Sequence, residues 1–348
     1  MLILALLSQP VSALALVAPD NSDYTSEILT AEFAANNNRP AEALQIYQKI
    51  ALETKNPEIA KRATELSIEL GNDEQALRTA LIWADKDLQS VKAQTIAALL
   101  VVQYNSITNA EKYIKQLFTL VNPDSFLNIE LVLNHPLDQQ KNQELGTLLE
   151  KIKSNKELGN NAAVDLALSI YYEKNNNSQK SLEYANLAVK LDPQWSQAHM
   201  QKTKLLSAYN SAQNAINYLE STIVKYPKQV ELRKLYADIL YDMDQLDKAA
   251  KHYSILSQSP LYKNEALLQL AHISITQNNL KNAEKYLLEL NQNPDYEELA
   301  KYYLGLINQQ SGNYEKALEC FAQLQNTENT EYVIKAKVRT AAILQSQK

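Results

Sequence analysis

Residues 311–324 read SGNYEKALECFAQL. A small polar turn, Ser311-Gly312-Asn313, leads into Ala317, and Phe321 follows four residues later on the same helical face. Ala317 closes a series. Ser181, Ala215, Ala249, Ala283 and Ala317 recur every 34 residues. Upstream, Ala43, Ala76 and Ala110 lie 33 and 34 residues apart, and the gap from Ala110 to Ser181 has room for one degenerate unit. Prolines keep the same beat at Pro193, Pro227, Pro260 and Pro294. A fixed period of this length marks a stacked supersecondary unit. Packing explains the residue types. Two antiparallel helices approach closely only where a side chain is small, and the residue one turn on fills the neighbouring space. Proline after the second helix cannot continue it and sets the turn into the next unit. One unit cannot bury its own apolar face, so the units must stack.

The period and its residues resemble the tetratricopeptide repeat, whose pattern runs W-x2-L-G-x2-Y, then A-x3-F, then P. Ala317/Phe321, Ala249/Tyr253, Ala43/Tyr47, the pair Leu304-Gly305 and the segment NNSQKSLEYANLAVKLDP (176–193) carry the likeness. It implies an all-α fold, a right-handed superhelical solenoid of about nine helix-turn-helix repeats with a capping helix. The expected units lie near 24–56, 57–90, 91–123, 124–160, 162–195, 196–229, 230–263, 264–297 and 298–330. Units in 24–123 and 162–330 are regular. Residues 124–160, broken by His135-Pro136 and Gly159-Asn160-Asn161, are expected to form a bend or looser joint. Residues 331–348 should hold the cap, with Val333, Ile334, Val338 and Ile343 inward and Lys335, Lys337 and Arg339 on the solvent side.

Composition agrees with helices. The chain has 348 residues, 45% hydrophobic, enough for a sizeable core. It has five glycines where an average chain of this length carries roughly two dozen. Sheets, tight hairpins and phosphate-cradling loops need glycine, so sandwiches, barrels, dinucleotide folds and P-loops are disfavoured. A net charge of −6, with the charges interspersed, argues against nucleic acid as a partner.

No catalytic residue, cofactor or metal site is expected. Cys320 is the single cysteine and has no histidine near it in sequence. A lone cysteine is usually a small buried hydrophobe. His135, His199, His252 and His272 lie far apart and have no ligand spacing. Pairs such as Glu297-Glu298 or Asp242 with Asp244 read as solvated surface. Twenty tyrosines are present, and tyrosine suits recognition surfaces as well as packing. Extending the repeat register, the inner face should show Met200, Lys204, Lys234, Asp238, Tyr241, Leu268, His272, Tyr302 and Leu306. This mixed set suits an extended or helical peptide. Leu166 and Ile170 stand where a carboxylate-gripping tetratricopeptide clamp needs polar residues, so a cytosolic co-chaperone role is not expected.

Residues 1–19, MLILALLSQPVSALALVAP, are uncharged and offer a small-x-small site at Ala13-Leu14-Ala15. Pro10 interrupts the stretch, and a membrane span needs about 20 apolar residues. Export with cleavage after Ala15 is the expectation, with a cytoplasmic location as the alternative. A positively charged leading segment is absent from the stretch, which leaves a start upstream of Met1 open. No cysteine follows it, so membrane association is left open as well.

Leu29-Thr30-Ala31-Glu32, Asn56-Pro57, the run 60–66 (AKRATEL) and Trp83 resemble the opening of bacterial envelope tetratricopeptide lipoproteins that act as adaptors for a carboxyl-terminal processing protease. The resemblance implies a periplasmic scaffold that presents substrates to that protease. The alternative served by the same fold is an assembly scaffold for pilus, secretion or outer-membrane machinery.

Overall fold

A computed structural model describes residues 24–120, 125–325, 327 and 329–347, and among these every regular element is a helix. The apolar segment 1–19, with its Ala13-Leu14-Ala15 site, lies outside the described residues. The helices are α1 (Thr25–Asn36), α2 (Pro40–Thr54), α3 (Pro57–Glu69), α4 (Asp73–Lys86), α5 (Val91–Tyr104), α6 (Ile107–Leu120), α7 (Leu127–Leu133), α8 (Gln139–Lys153), α9 (Ala162–Lys174) and α10 (Ser178–Leu191). Then come α11 (Ser196–Tyr209), α12 (Ala212–Lys225), α13 (Val230–Asp242), α14 (Leu246–Leu256), α15 (Lys263–Thr276), α16 (Leu280–Leu290), α17 (Glu297–Gln310), α18 (Tyr314–Leu324) and α19 (Thr330–Ser346). Helices pair with their sequence neighbours, α1 with α2, α3 with α4, α5 with α6, α9 with α10, α13 with α14, α15 with α16 and α17 with α18.

The turn chemistry is as periodic as the core. Asn38, Gly71, Asn176, Asp244, Asn278 and Gly312 all take positive φ, and each closes the turn between the two helices of a hairpin. Asparagine and aspartate are the residues other than glycine that tolerate this region best. The next residue then often starts the second helix. Asn177 accepts from the Lys180 amide and Asn279 from the Asn282 amide. At the start of α3, Asn56 accepts from the amides of Glu58 and Ile59, with Pro57 at the first helical position. Each such cap contributes about 1 kcal/mol.

The small-residue series fills the places reserved for it. Ala43, Ala76, Ala110, Ser181, Ala215, Ala249, Ala283 and Ala317 are fully buried. One turn on, Tyr47, Ala80, Ile114, Ala185, Leu219, Tyr253, Leu287 and Phe321 are buried too. Ala249→Leu is therefore expected to overpack the α13–α14 pair and cost about 1–3 kcal/mol, read as a lowered thermal midpoint.

Two compact units divide the chain at Leu205/Leu206, within α11. In the first, one continuous core runs from Ala31 to Ala198. Residues 125–160, expected to loosen the array, belong to this core. Phe126 is fully buried with its ring edge-on to Trp195 at 5.1 Å, and α7 packs on α5, α6 and α9. The second unit has smaller cores handed from hairpin to hairpin, with Tyr286 touching three of them.

The cap departs from the expected orientation. Ile343 is buried as expected, but Ala336 is its buried companion, while Ile334 and Val338 are 64% and 62% exposed. Ala336 and Ile343, seven residues apart, keep one face of α19 against Ala317, Phe321 and Leu324. Ile334 and Val338 are rotated away from that line. No helix among the described residues is long and apolar enough to cross a membrane.

Candidate interaction surface

The first helices of the hairpins in the second unit, α13, α15 and α17, carry most of the surface expected from the sequence. At one level stand Lys234, Leu268 and Tyr302; one helical turn further stand Asp238, His272 and Leu306. Neighbouring helices are linked across this row. Lys234 bridges Asp238 on its own helix at 2.7 Å and Glu265 of α15 at 3.0 Å. The His272 ring meets Tyr303 of α17 edge-on at 5.0 Å.

Asp238 also accepts from the Tyr253 hydroxyl at 2.7 Å, and burial together with that carboxylate raises the Tyr253 pKa well above the usual phenol range. The same device recurs in the first unit, where the buried Tyr47 hydroxyl donates to Glu32. In both hairpins the acid lies fifteen residues before the tyrosine. Where the second helix carries leucine instead, at Leu287, the corresponding first-helix residue is His272, whose Nε2 is buried with no partner among the described residues. Burial lowers the His272 pKa, so the ring favours its neutral form. At Lys234 burial alone would lower the pKa, but the bonds to Asp238 and Glu265 outweigh it and hold the ammonium above its ordinary value.

Not every expected residue is presented alike. Tyr241 and Leu306 are half-buried against the second-unit cores, and Leu268 packs beside Leu267, Leu290 and Ala300. Tyr302 leans on Phe321 and Tyr332, with the Lys335 ammonium 5.7 Å from its ring centroid. Met200 and Lys204 lie in the first unit, the lysine paired with Glu173 at 2.9 Å. Glu265, Tyr303 and Tyr332 were missed from the sequence, and Lys335 was read there only as a solvent-side residue of the cap. The repeat register gives positions within a helix, whereas these contacts run between successive helices. Leu166, expected at a groove position that a clamp would fill with a polar residue, is instead buried in the first-unit core, and Ile170 is half-buried.

The four histidines serve separate places. The His199 ring is bonded to the Pro193 carbonyl oxygen at 2.9 Å, and His252 lies edge-on to Tyr236. No group of acidic, histidine or cysteine side chains among the described residues is arranged to hold a metal. Cys320 is a half-buried free thiol, and burial raises its pKa.

Paired helices on a 34-residue beat, with buried alanines at the closest approach, define a tetratricopeptide-type architecture. The chain is similar to a TPR repeat-containing protein of Pseudomonas aeruginosa, 22% identical over 222 residues, which cover 62% of this chain and 36% of that protein. It thus spans about a third of the length of the curated relative it matches. Among solved structures it is similar to the crystal structure of yeast Tom70, at 18% identity and a TM-score of 0.44, over 99% of this chain and 69% of that one. No family model matches the sequence.

Proposed function

We propose that the protein is an exported, non-enzymatic scaffold that holds protein partners in the bacterial envelope and brings a carboxyl-terminal processing protease to its substrates. The observation that carries the scaffold reading is the row on α13, α15 and α17. It sets aromatic and apolar side chains beside an organised set of charges, all on helices fixed by their own hairpins. A rigid face of this kind binds a peptide without ordering itself first. Tyr302 and Leu268 supply contact area, and the Lys234–Asp238–Glu265 set supplies polar contacts. Export is supported by the uncharged start and its Ala13-Leu14-Ala15 site, and the protease by the opening segment with Asn56-Pro57 and Trp83.

Crosslinked affinity capture from envelope extract tests the reading. The expected result is recovery of a carboxyl-terminal processing protease, reduced several-fold by the double change Lys234→Ala and Leu268→Ala, with circular dichroism verifying that the variant keeps its helicity at the capture temperature. Repeated capture without a protease removes that partner. Reproducible turnover on a substrate panel, lost in Cys320→Ser, overturns the non-enzymatic assignment.

A further inference from the structure

Arg233 and His252 meet where helices of the second unit join. His252 lies on α14 and Arg233 on α13, at the border of the core that α12, α13 and α14 share through Leu219, Leu232, Tyr236 and Tyr253. The Arg233 Nη1 lies 3.3 Å from His252 Nδ1, and its Nη2 donates to the Pro227 carbonyl oxygen at 3.3 Å. Pro227 belongs to the turn between α12 and α13. One guanidinium therefore ties that turn to α14.

The chemistry of the pair fixes the state of the imidazole. A guanidinium has N–H donors and no acceptor, and it stays charged throughout the range in which histidine titrates. The bond at Nδ1 is therefore one that the imidazole accepts. Nδ1 carries the lone pair, Nε2 carries the proton, and the ring is neutral. A proton added at Nδ1 leaves two donors facing each other and sets a second positive charge beside the first. The buried Tyr236 ring, edge-on to the imidazole at 4.8 Å, walls the pair from water on one side, which weakens the screening of that repulsion. The other charged groups around the ring are Lys251, on α14 itself, and Glu220 of α12. Burial, Arg233 and Lys251 hold the His252 pKa below the ordinary imidazole value against the pull of Glu220. The native state thus binds this proton less tightly than the unfolded chain does. The stability the pair contributes is complete above the ordinary value and is lost as pH falls from there through the lowered one.

We infer that the Arg233–His252 pair is an acid-released latch: protonation of the imidazole frees Arg233, detaches the α12–α13 turn from α14 and loosens α13. The same helix carries Lys234 and Asp238, so the release reaches the row on α13, α15 and α17 whichever partner occupies it. The latch itself is independent of that partner, and its test needs none.

The test follows backbone amide exchange of the full chain at about pH 8 and about pH 5.5, corrected for the intrinsic rate at each pH. Opening of residues 222–236 and of α14 is expected to rise on the order of tenfold at the lower pH, while α3 and α4 hold. His252→Gln offers an oxygen that accepts from Arg233 and takes up no proton, so the rise should vanish in it. NMR of the histidine-labelled chain, with the His252 signal assigned by its loss in that variant, should place its midpoint below the ordinary imidazole value. Arg233→Met should move the midpoint up. Circular dichroism at the higher pH verifies that each variant folds, and the wild-type midpoint decides the matter if one does not. No rise, an equal rise in α3 and α4, a rise that persists in His252→Gln, or a wild-type midpoint at or above the ordinary value overturns the inference. So does a rise that vanishes only in His272→Gln, because the proton is then taken up on α15.

Discussion

Lys153→Met is expected to destabilise the first unit by about 3 kcal/mol at neutral pH. Asp165, in the first turn of α9, is fully buried, and the Lys153 ammonium lies 2.6 Å from its Oδ1. Lys153 also donates to the Gly159 carbonyl at 2.8 Å, so one cation holds both the carboxylate and the turn that precedes α9. Methionine keeps most of the stem and removes the charge. An unpaired carboxylate is then left in apolar surroundings, where desolvation is costly. The pH dependence identifies the cause. Burial already raises the Asp165 pKa, and Lys153 pulls it back. A folded-state pKa above the unfolded one means the native state binds the proton more tightly, so the variant loses most stability above that pKa and recovers as the carboxyl protonates. Urea titrations at neutral pH and near pH 4 should show the gap between wild type and variant closing on acidification. A gap independent of pH would mean that lost packing, not the stranded charge, is responsible.

Phe321→Ala is expected to cost about 3–5 kcal/mol locally in the last hairpin. Phe321 is fully buried, fills the space that Gly305 leaves beside it and supports Tyr302 and α19 through the same core. Gly305 has no side chain to close the resulting cavity, so relaxation is limited. Repeats contact only their neighbours, so the loss stays near the end of the array. Hydrogen exchange should accelerate in α17, α18 and α19 and stay near wild type in α3 and α4. Phe321→Leu, closer in volume, should cost under about 1.5 kcal/mol.

Much of this fold was legible because the repeat records itself in residues that cannot vary freely. Ala249 and Ala317 mark places where only a small side chain fits, and their burial followed from the spacing alone. The turns were less visible. Scarce glycine argued for helices, yet left-handed corners were still needed, and Asn38, Asn176 and Asn278 supply them. The phase of α19 was not legible, because Ile334, Val338 and Ile343 are all apolar and only contact with the preceding hairpin picks the buried line. The candidate surface was half-readable. Positions such as Lys234 and His272 follow from the register, but their partners Glu265 and Tyr303 sit on the next helix and come into view only with the packing.

The recurring left-handed corners have a kinetic consequence. Each lets a hairpin close over a short stretch of chain, so little loop entropy is lost before the two helices gain contact. Many such starts are distributed along the molecule, and folding of a stacked array propagates from whichever forms first. Weakening one corner, for instance Asn278→Ala, which disfavours the left-handed conformation without forbidding it, should therefore slow a single route and leave others open, instead of blocking a unique bottleneck.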